Sequence, residues 1–258
     1  MTDTMRISVI TVTLNGAATI ADTLQSVAGQ SHPEVEHLII DGNSTDDTLS
    51  IVQEHGRRGM RVVSEPDGGI YQAMNKGLRM AQGDLVGFLG ADDVYQSADV
   101  LAQVARTAED RRVDAVYGDL VYVSRTKPDR VIRHWHSGRW TDRRLRFGWM
   151  PPHPTLYVRK ALIDVLGGFD EQLRIAADYD FILRLLRRPG IQVAYLDRVL
   201  VRMRMGGTSN RSPAMLWRKS REDLIALRRN GVGGWFTLFC KNARKLPQFM
   251  RPQWSSQK

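Results

Sequence analysis

The stretch Asp84-Leu85-Val86-Gly87-Phe88-Leu89-Gly90-Ala91-Asp92-Asp93 carries an apolar run that stops on two adjacent carboxylates. Leu85 to Leu89, interrupted only by Gly87, is too short for a helix and suits a strand buried on both faces. Like charges raise each other's pKa, so Asp92 and Asp93 at a buried strand end carry an electrostatic cost. A hard divalent cation such as Mg²⁺ or Mn²⁺ removes that cost, since it takes oxygen ligands and shares its coordination sphere with substrate phosphates. The same residues also suit an Asx-type turn leading into a helix from about Ser97. The upstream sequence distinguishes the two readings.

Arg6 to Leu14 reads as a β-branched strand ending at Asn15-Gly16, and Thr19 to Ala28 has the apolar spacing of a helix. Val35 to Asp41 is a second strand, closed by Gly42-Asn43-Ser44. A helix over Asp46 to His55 follows, with Ser44 or Thr45 as its cap. Met60 to Glu65 is a third strand, Pro66-Asp67-Gly68-Gly69 a turn, and Tyr71 to Gln82 a helix stopped by Gly83. With the strand at Leu85, the pattern is β-α-β-α-β-α-β, a mostly parallel sheet flanked by helices. Ligands of such sheets bind outside the carboxyl ends of the strands. Thr13 and Asn15, Asp41, Asp67, and Asp92 with Asp93 all stand at those ends. Each alone is an ordinary turn residue, but four carboxylate-bearing or polar strand ends on one rim point to a ligand. No Gly-x-Gly-x-x-Gly follows the first strand and no P-loop occurs, which argues against a dinucleotide fold and a P-loop NTPase.

Val12-Thr13-Leu14-Asn15, Ile40-Asp41-Gly42-Asn43-Ser44-Thr45-Asp46, Ser64 to Gly77 and Leu89-Gly90-Ala91-Asp92-Asp93 together resemble glycosyltransferase family 2, the inverting enzymes of GT-A fold. The likeness covers about residues 5–210 and is nearest to the subgroup that builds bacterial exopolysaccharide and lipid-linked glycans. The resemblance implies an α/β GT-A fold and transfer of a sugar from a nucleotide-sugar, by default a UDP-sugar. It places Thr13, Asn15, Asp41, Asp67 and Asp92 around the nucleotide and makes Asp93 the ligand of Mn²⁺ or Mg²⁺. Ala91 stands where the family's triplet often has a carboxylate, which leaves fewer protein ligands and throws more of the coordination onto the diphosphate.

In the second half, Val113 to Val123 reads as a strand with a kink or bulge at Gly118. Trp135 to Trp149 is aromatic and basic, with Arg139, Arg143, Arg144 and Arg146 in a loop. These arginines suit either solvent or a phosphate. Three prolines, Pro151, Pro152 and Pro154, stiffen the backbone around His153, ahead of a strand at Leu156 to Val158. Ile175 to Phe181 opens a helix with Asp178 and Asp180 in its first turn, where the dipole favours carboxylates. By resemblance, Asp178 matches the family's general base, with Ala177 in place of its preceding Glu; Asp180 is expected as a cap or a supporting partner. His153 borders the acceptor pocket of the family. The resemblance also makes Arg204 and Thr208 candidates, since in the family this segment can fold over the donor diphosphate. Val193 to Leu196 and Val199 to Met205 read as two late strands.

The 258 residues carry a single cysteine, Cys240, so neither an intrachain disulfide nor a cysteine-based metal site is available. Residues 201–258 hold 13 Lys/Arg against 2 acids, and residues 1–200 hold 24 against 26. Positive charge therefore belongs to a tail, residues 211–258, distinct from a catalytic domain over residues 1–210. Two helices are expected there, Pro213 to Arg229 and Gly234 to about Met250. In the second, Trp235, Phe236, Leu238, Phe239 and Leu246 oppose Lys241, Arg244 and Lys245, a basic-aromatic face that either packs on the body or rests on an anionic membrane. Without a leader or a spanning run of about 20 apolar residues, the expected location is cytoplasmic, at the inner face of the membrane if the tail binds lipid.

Two other function classes fit parts of the sequence. A sugar-nucleotide pyrophosphorylase would carry a Gly-rich, Lys/Arg-bearing loop after the first strand, which Asn15-Gly16-Ala17-Ala18 does not provide. A non-catalytic glycan or nucleic-acid module is prompted by the tail charge alone. Nucleic acid is not an expected partner, since its binders spread positive charge over the main surface.

Overall fold

A computed structural model describes residues 4–56, 59–206 and 213–244. The first half alternates β1 (Ile7–Thr13), α1 (Ile20–Ala28), β2 (Val35–Asp41), α2 (Thr48–Glu54), β3 (Arg61–Ser64), α3 (Ile70–Met80) and β4 (Leu85–Phe88). A two-residue strand β5 (Val94–Tyr95), α4 (Val100–Asp110), β6 (Ala115–Val123) and β7 (Val131–Trp135) follow. Then come α5 (Asp142–Arg146), β8 (Tyr157–Arg159), α6 (Lys160–Leu166), α7 (Ala177–Leu186), β9 (Val193–Arg204), α8 (Pro213–Arg229) and α9 (Trp235–Ala243).

The strands form one sheet in the order β3-β2-β1-β4-β8-β6-β9-β5, with β7 on β6. β3, β2, β1 and β4 run parallel. β8 is antiparallel to both β4 and β6, and β6 is parallel to β9. The parallel half is buried on both faces. Ile10, Leu38, Ile40, Val86 and Phe88 join the core on one side, and Ile7, Val9, Leu85 and Leu89 the core on the other. Gly87 pairs with Tyr157 across β4 and β8, and a Cβ there would come within 2.3 Å of the tyrosine ring. The glycine in the apolar run thus makes room for the aromatic ring that closes the antiparallel half against the parallel one.

Several local expectations change. Asp46, not Ser44 or Thr45, covers the start of α2, accepting from the Thr48 N–H at 3.0 Å; Ser44 is drawn to Asp41 and Thr45 to Asn15. α3 ends at Met80, and Gly83 is instead pressed against β1, its N–H donating to Ser8 Oγ at 2.8 Å. The two late strands are one, β9, whose register against β6 slips around Gly118 as the expected bulge. The segment 135–149 is not all loop: it holds the end of β7 and all of α5, whose Thr141 cap accepts from the Arg144 N–H at 3.2 Å.

The described part of the tail packs on the body. Leu224, Ala226, Leu227, Val232 and Leu238 share a core cluster with α7. In α9 the orientation differs from the sequence expectation: Thr237, Leu238 and Lys241 are buried, while Trp235, Phe236 and Phe239 are 67%, 65% and 70% exposed. Lys241 is on the inner side because Asp223 of α8 receives its ammonium at 2.6 Å and the Tyr179 ring lies beneath it, 3.3 Å from Nζ to the centroid. Burial lowers the Lys241 pKa and Asp223 opposes that shift. Leu246 and Lys245 lie outside the described residues. Removing one member of a buried ion pair strands the other charge. Asp223→Ala is therefore expected to destabilise the fold by roughly 3–5 kcal/mol in urea denaturation; a loss under about 1 kcal/mol would show that the pair does not fasten α8 to α9.

Candidate active site

The first rim is built from the loops after β1, β2 and β3. Thr13 is buried at the end of β1, and its hydroxyl has no hydrogen-bond partner among the described residues. Asn15 sits in the left-handed region at φ 52°, which asparagine tolerates, and its Oδ1 accepts from the Thr45 N–H at 2.9 Å. Asp41, fully buried at the end of β2, accepts from the Ser44 N–H at 2.9 Å, the Ser44 hydroxyl at 2.5 Å and the Ser64 hydroxyl at 2.7 Å. Its carboxylate thereby ties the ends of β2 and β3 together. Asp67 accepts from the Gly69 N–H at 2.9 Å, and its other oxygen lies 2.8 Å from where a Cβ on Gly42 would stand. Only glycine at position 42 lets those two loops meet.

The second rim follows β4. Asp93 is 2% exposed and its Oδ1 has no partner among the described residues, while Asp92 is half-buried. Burial pushes the Asp93 carboxyl well above the usual range, the charge of Asp92 adds to the rise, and the Arg204 backbone N–H and guanidinium oppose it. Arg204 is brought here by the pairing of β5 with β9, Val94 opposite Arg202. Its guanidinium pairs with Asp22 of α1, and its Nη1 is buried without a partner among the described residues. Thr13 Oγ1 and Ala91 Cβ both border the position of a Gly16 Cβ, so the ends of β1 and β4 adjoin. Two neighbouring carboxylates, one with an unpartnered buried oxygen, beside an unpartnered hydroxyl oxygen fit a hard divalent cation. Asp93 and Asp92 would hold it.

The third part is the N-terminus of α7. Asp178 is half-buried there, and Tyr71 places its hydroxyl 3.2 Å from Asp178 Oδ1 and 2.8 Å from the Ile175 carbonyl oxygen. Burial, and next the charge of Asp178, raise the Tyr71 pKa, so its phenol stays protonated and donates. Glu222 of α8 accepts from the N–H groups of Ile175 and Ala176 at 2.7 and 3.0 Å, fixing the approach to the helix. His153 stacks on Phe88, the last residue of β4, at 5.2 Å between centroids and meets Phe169 edge-on at 5.6 Å. Burial lowers its pKa while Asp178 opposes, which leaves a neutral imidazole at neutral pH. Phe88 thus carries His153 on the strand whose following loop holds Asp92 and Asp93, and His153 in turn feels the charge of Asp178.

Asp180 is not a cap. It is buried and accepts from Arg184 Nε and Asn230 Nδ2, both at 2.9 Å, joining α7 to α8. Thr208 lies outside the described residues. Tyr71 and Glu222 carry no role in the sequence reading. Tyr71 stands inside a motif whose carboxylate draws attention first, and Glu222 is one of two acids in a basic tail.

The model of glycosyl transferase family 2 matches residues 8–165. The chain is a family 2 glycosyltransferase. This family 2 enzyme is 35% identical over 208 residues to a PGL/p-HBAD biosynthesis glycosyltransferase of Mycobacterium tuberculosis, an alignment covering 79% of this chain and 78% of that one. Among solved structures it resembles TarS 1-349 of S. aureus in complex with UDP, with a TM-score of 0.65 and 23% identity. That match covers 86% of this glycosyltransferase and 65% of the TarS chain. It also resembles the mannosyltransferase PcManGT of Pyrobaculum calidifontis in complex with GDP-Man and Mn²⁺, with a TM-score of 0.67, 21% identity, and 97% and 74% of the two chains covered. These likenesses establish the GT-A fold. Among the described residues of the glycosyltransferase, no helix is long and apolar enough to cross a membrane.

Proposed function

We propose that this family 2 glycosyltransferase is an inverting, metal-dependent enzyme that moves a sugar from a nucleoside-diphosphate sugar to a hydroxyl of a lipid-linked glycan. The observation that supports this reading most is the buried Asp93 carboxylate beside Asp92 at the end of β4, the strand whose last residue, Phe88, stacks on His153, which feels the charge of Asp178. Thr13, Asn15, Asp41 and Asp67 line the nucleotide side, Asp41 using a lone pair left beyond its three internal bonds. A cation bound at Asp93 supplies neutralisation of the charge that grows on the departing diphosphate. Asp178 accepts the acceptor hydroxyl's proton as that oxygen bonds to the anomeric carbon and the bond from that carbon to the phosphate oxygen breaks. Attack from the face opposite the leaving group inverts the anomeric centre. Neutral His153, held face-on against Phe88, orients the acceptor without competing for the proton. TarS has been solved with UDP and with UDP-GlcNAc, and PcManGT with GDP-Man and Mn²⁺, which supports a nucleotide-sugar donor and a divalent cation here.

A thermal-shift panel of UDP, GDP, CDP and dTDP with and without Mn²⁺ tests the donor assignment, because a ligand that binds only the native state raises its Tm. A rise with UDP that requires Mn²⁺ is expected; a panel with no responding nucleotide would overturn it.

The exposed aromatic face of α9 supports the lipid-linked part of the proposal. Phe236 meets Phe147 of the body edge-on at 5.8 Å, which extends the apolar surface, and Arg143 and Arg146 stand exposed beside Phe147 in sequence. Such a surface suits an anionic bilayer at the cytoplasmic face. Replacing Trp235, Phe236 and Phe239 together by Ser is expected to lower binding to phosphatidylglycerol vesicles at least about tenfold, since each buried aromatic contributes more than 1 kcal/mol. Nucleotide affinity should be unchanged. Equal vesicle binding by the two proteins would remove the membrane from the proposal.

A further inference from the structure

Away from the residues of the candidate active site, three metal-ligating side chains converge where β6 meets β7. His134 lies on β7 and His136 is the first residue past its end at Trp135. The antiparallel pairing ends with Leu120 opposite Trp135, and Asp119 and His136 are the next residue on either side. His134 Nε2 lies 3.2 Å and His136 Nδ1 2.8 Å from the same oxygen, Asp119 Oδ2. The three donor atoms all stand within 4.8 Å of one another. We propose that Asp119, His134 and His136 form a second cation site, for a transition ion of the Zn²⁺ class, distinct from the hard-cation site at Asp93.

The donor set is the first reason. Two imidazoles and a carboxylate select Zn²⁺, Co²⁺ or Ni²⁺ over Mg²⁺, which prefers oxygen alone. Tetrahedral bonds of about 2.0 Å separate donor atoms by about 3.3 Å, so the observed spacings require only small movements to admit an ion. The second reason is the support behind the carboxylate. Asp119 is 2% exposed, and its Oδ1 is occupied by the Ser137 N–H and the Tyr195 hydroxyl, each at 2.8 Å. That leaves Oδ2 as the coordinating atom with its direction set, the arrangement by which outer partners orient a metal ligand. The third reason is access. The His134 and His136 side chains are 27% and 61% exposed, which gives the ion an entry path and a fourth position open to solvent.

β9 separates the two sites, standing between β6 and the β5 strand that follows Asp93. An ion held at Asp119 would cross-link β6 to β7 beside a small pocket lined by Trp135, His136, Trp149, Lys241 and Arg244. It would therefore stiffen that wall without entering the transfer chemistry.

Titration of the metal-stripped full-length protein with Co²⁺ and Zn²⁺ tests the site. One equivalent of Zn²⁺ per chain is expected in calorimetry, with a raised Tm and visible d–d bands for the Co²⁺ form. His134→Gln and His136→Gln should each weaken Zn²⁺ affinity by about 100-fold or more, above the range for loss of an outer partner. Asp93→Asn should leave Zn²⁺ affinity and the Co²⁺ spectrum as they are, which separates this site from the donor cation. Two results would overturn the proposal: wild type binding neither ion more tightly than the His134→Gln/His136→Gln double variant, or loss of the Co²⁺ bands in Asp93→Asn. The wild-type stoichiometry and spectrum decide the matter even if a variant folds poorly.

Discussion

Asp178→Asn is expected to lower kcat by roughly 10²–10⁴-fold, the span for losing a general base, while donor affinity changes little. The amide keeps the size of the side chain and can still meet the Tyr71 hydroxyl, 3.2 Å away, and the Glu222 bonds that set the start of α7 are untouched. The fold should survive and the chemistry should not. Asp180→Asn, two residues on, provides the contrast. Asn230, just past α8, ties that helix to Asp180, and Arg184 on α7 itself supplies its ion pair, so its loss should appear as a lower Tm with kcat within about tenfold of wild type. Steady-state kinetics on the two purified variants decide between the carboxylates. A dead Asp180→Asn with a normal Asp178→Asn would show that the base has been assigned to the wrong residue.

Asp93→Asn is expected to do two opposite things. Nucleotide binding should lose its dependence on Mn²⁺, with affinity falling by at least about 10–100-fold in calorimetry, since the variant lacks the carboxylate proposed to hold the ion. In EDTA, however, the variant should be the more stable protein. Asp93 has a folded-state pKa raised by burial and by Asp92, so the native protein holds its proton more tightly than the unfolded chain. The stabilisation from that proton is complete below the unfolded pKa and is lost as pH rises through the folded one. Above the folded-state pKa the wild type carries a buried charge that the amide lacks, and there the variant should melt higher by roughly 2–4 °C for each kcal/mol relieved. The gap should close as pH falls and should shrink when Mn²⁺ is added to wild type. Identical wild-type nucleotide affinity with and without EDTA would remove the metal from Asp93.

The two variants together describe a site that is costly to keep folded. Among the described residues, a buried oxygen on Asp93 and a buried hydroxyl on Thr13 both lack partners, and Arg204 Nη1 adds a third such atom. Buried polar groups are ordinarily satisfied, so three orphans around one strand end are better understood as groups awaiting a ligand than as packing errors. The Asp41 loop shows the reverse. There the Ser44 N–H and the Ser44 and Ser64 hydroxyls all reach the carboxylate, which ties the ends of β2 and β3 into one frame.

Much of this was legible in the chain itself. The parallel half of the sheet follows from short apolar runs at Ile7, Val35, Arg61 and Leu85 alternating with helical spacing, both local signals. Strand ends are marked by turn chemistry within a few residues, so Thr13, Asn15, Asp41, Asp67, Asp92 and Asp93 could be placed at one edge without coordinates. Asp178 at the start of α7 was visible for the same reason. What lay beyond the sequence involves partners far apart along it. Only tertiary packing turned β8 antiparallel between β4 and β6, set Arg204 beside Asp93, and made Asp180 a tie between helices instead of a cap. The sequence places Lys241 opposite Trp235 and Phe239, but helical periodicity reports which residues share a face and not which face is covered. Asp223, buried on the neighbouring helix, decided that, since an ammonium enters a core only where a carboxylate waits for it.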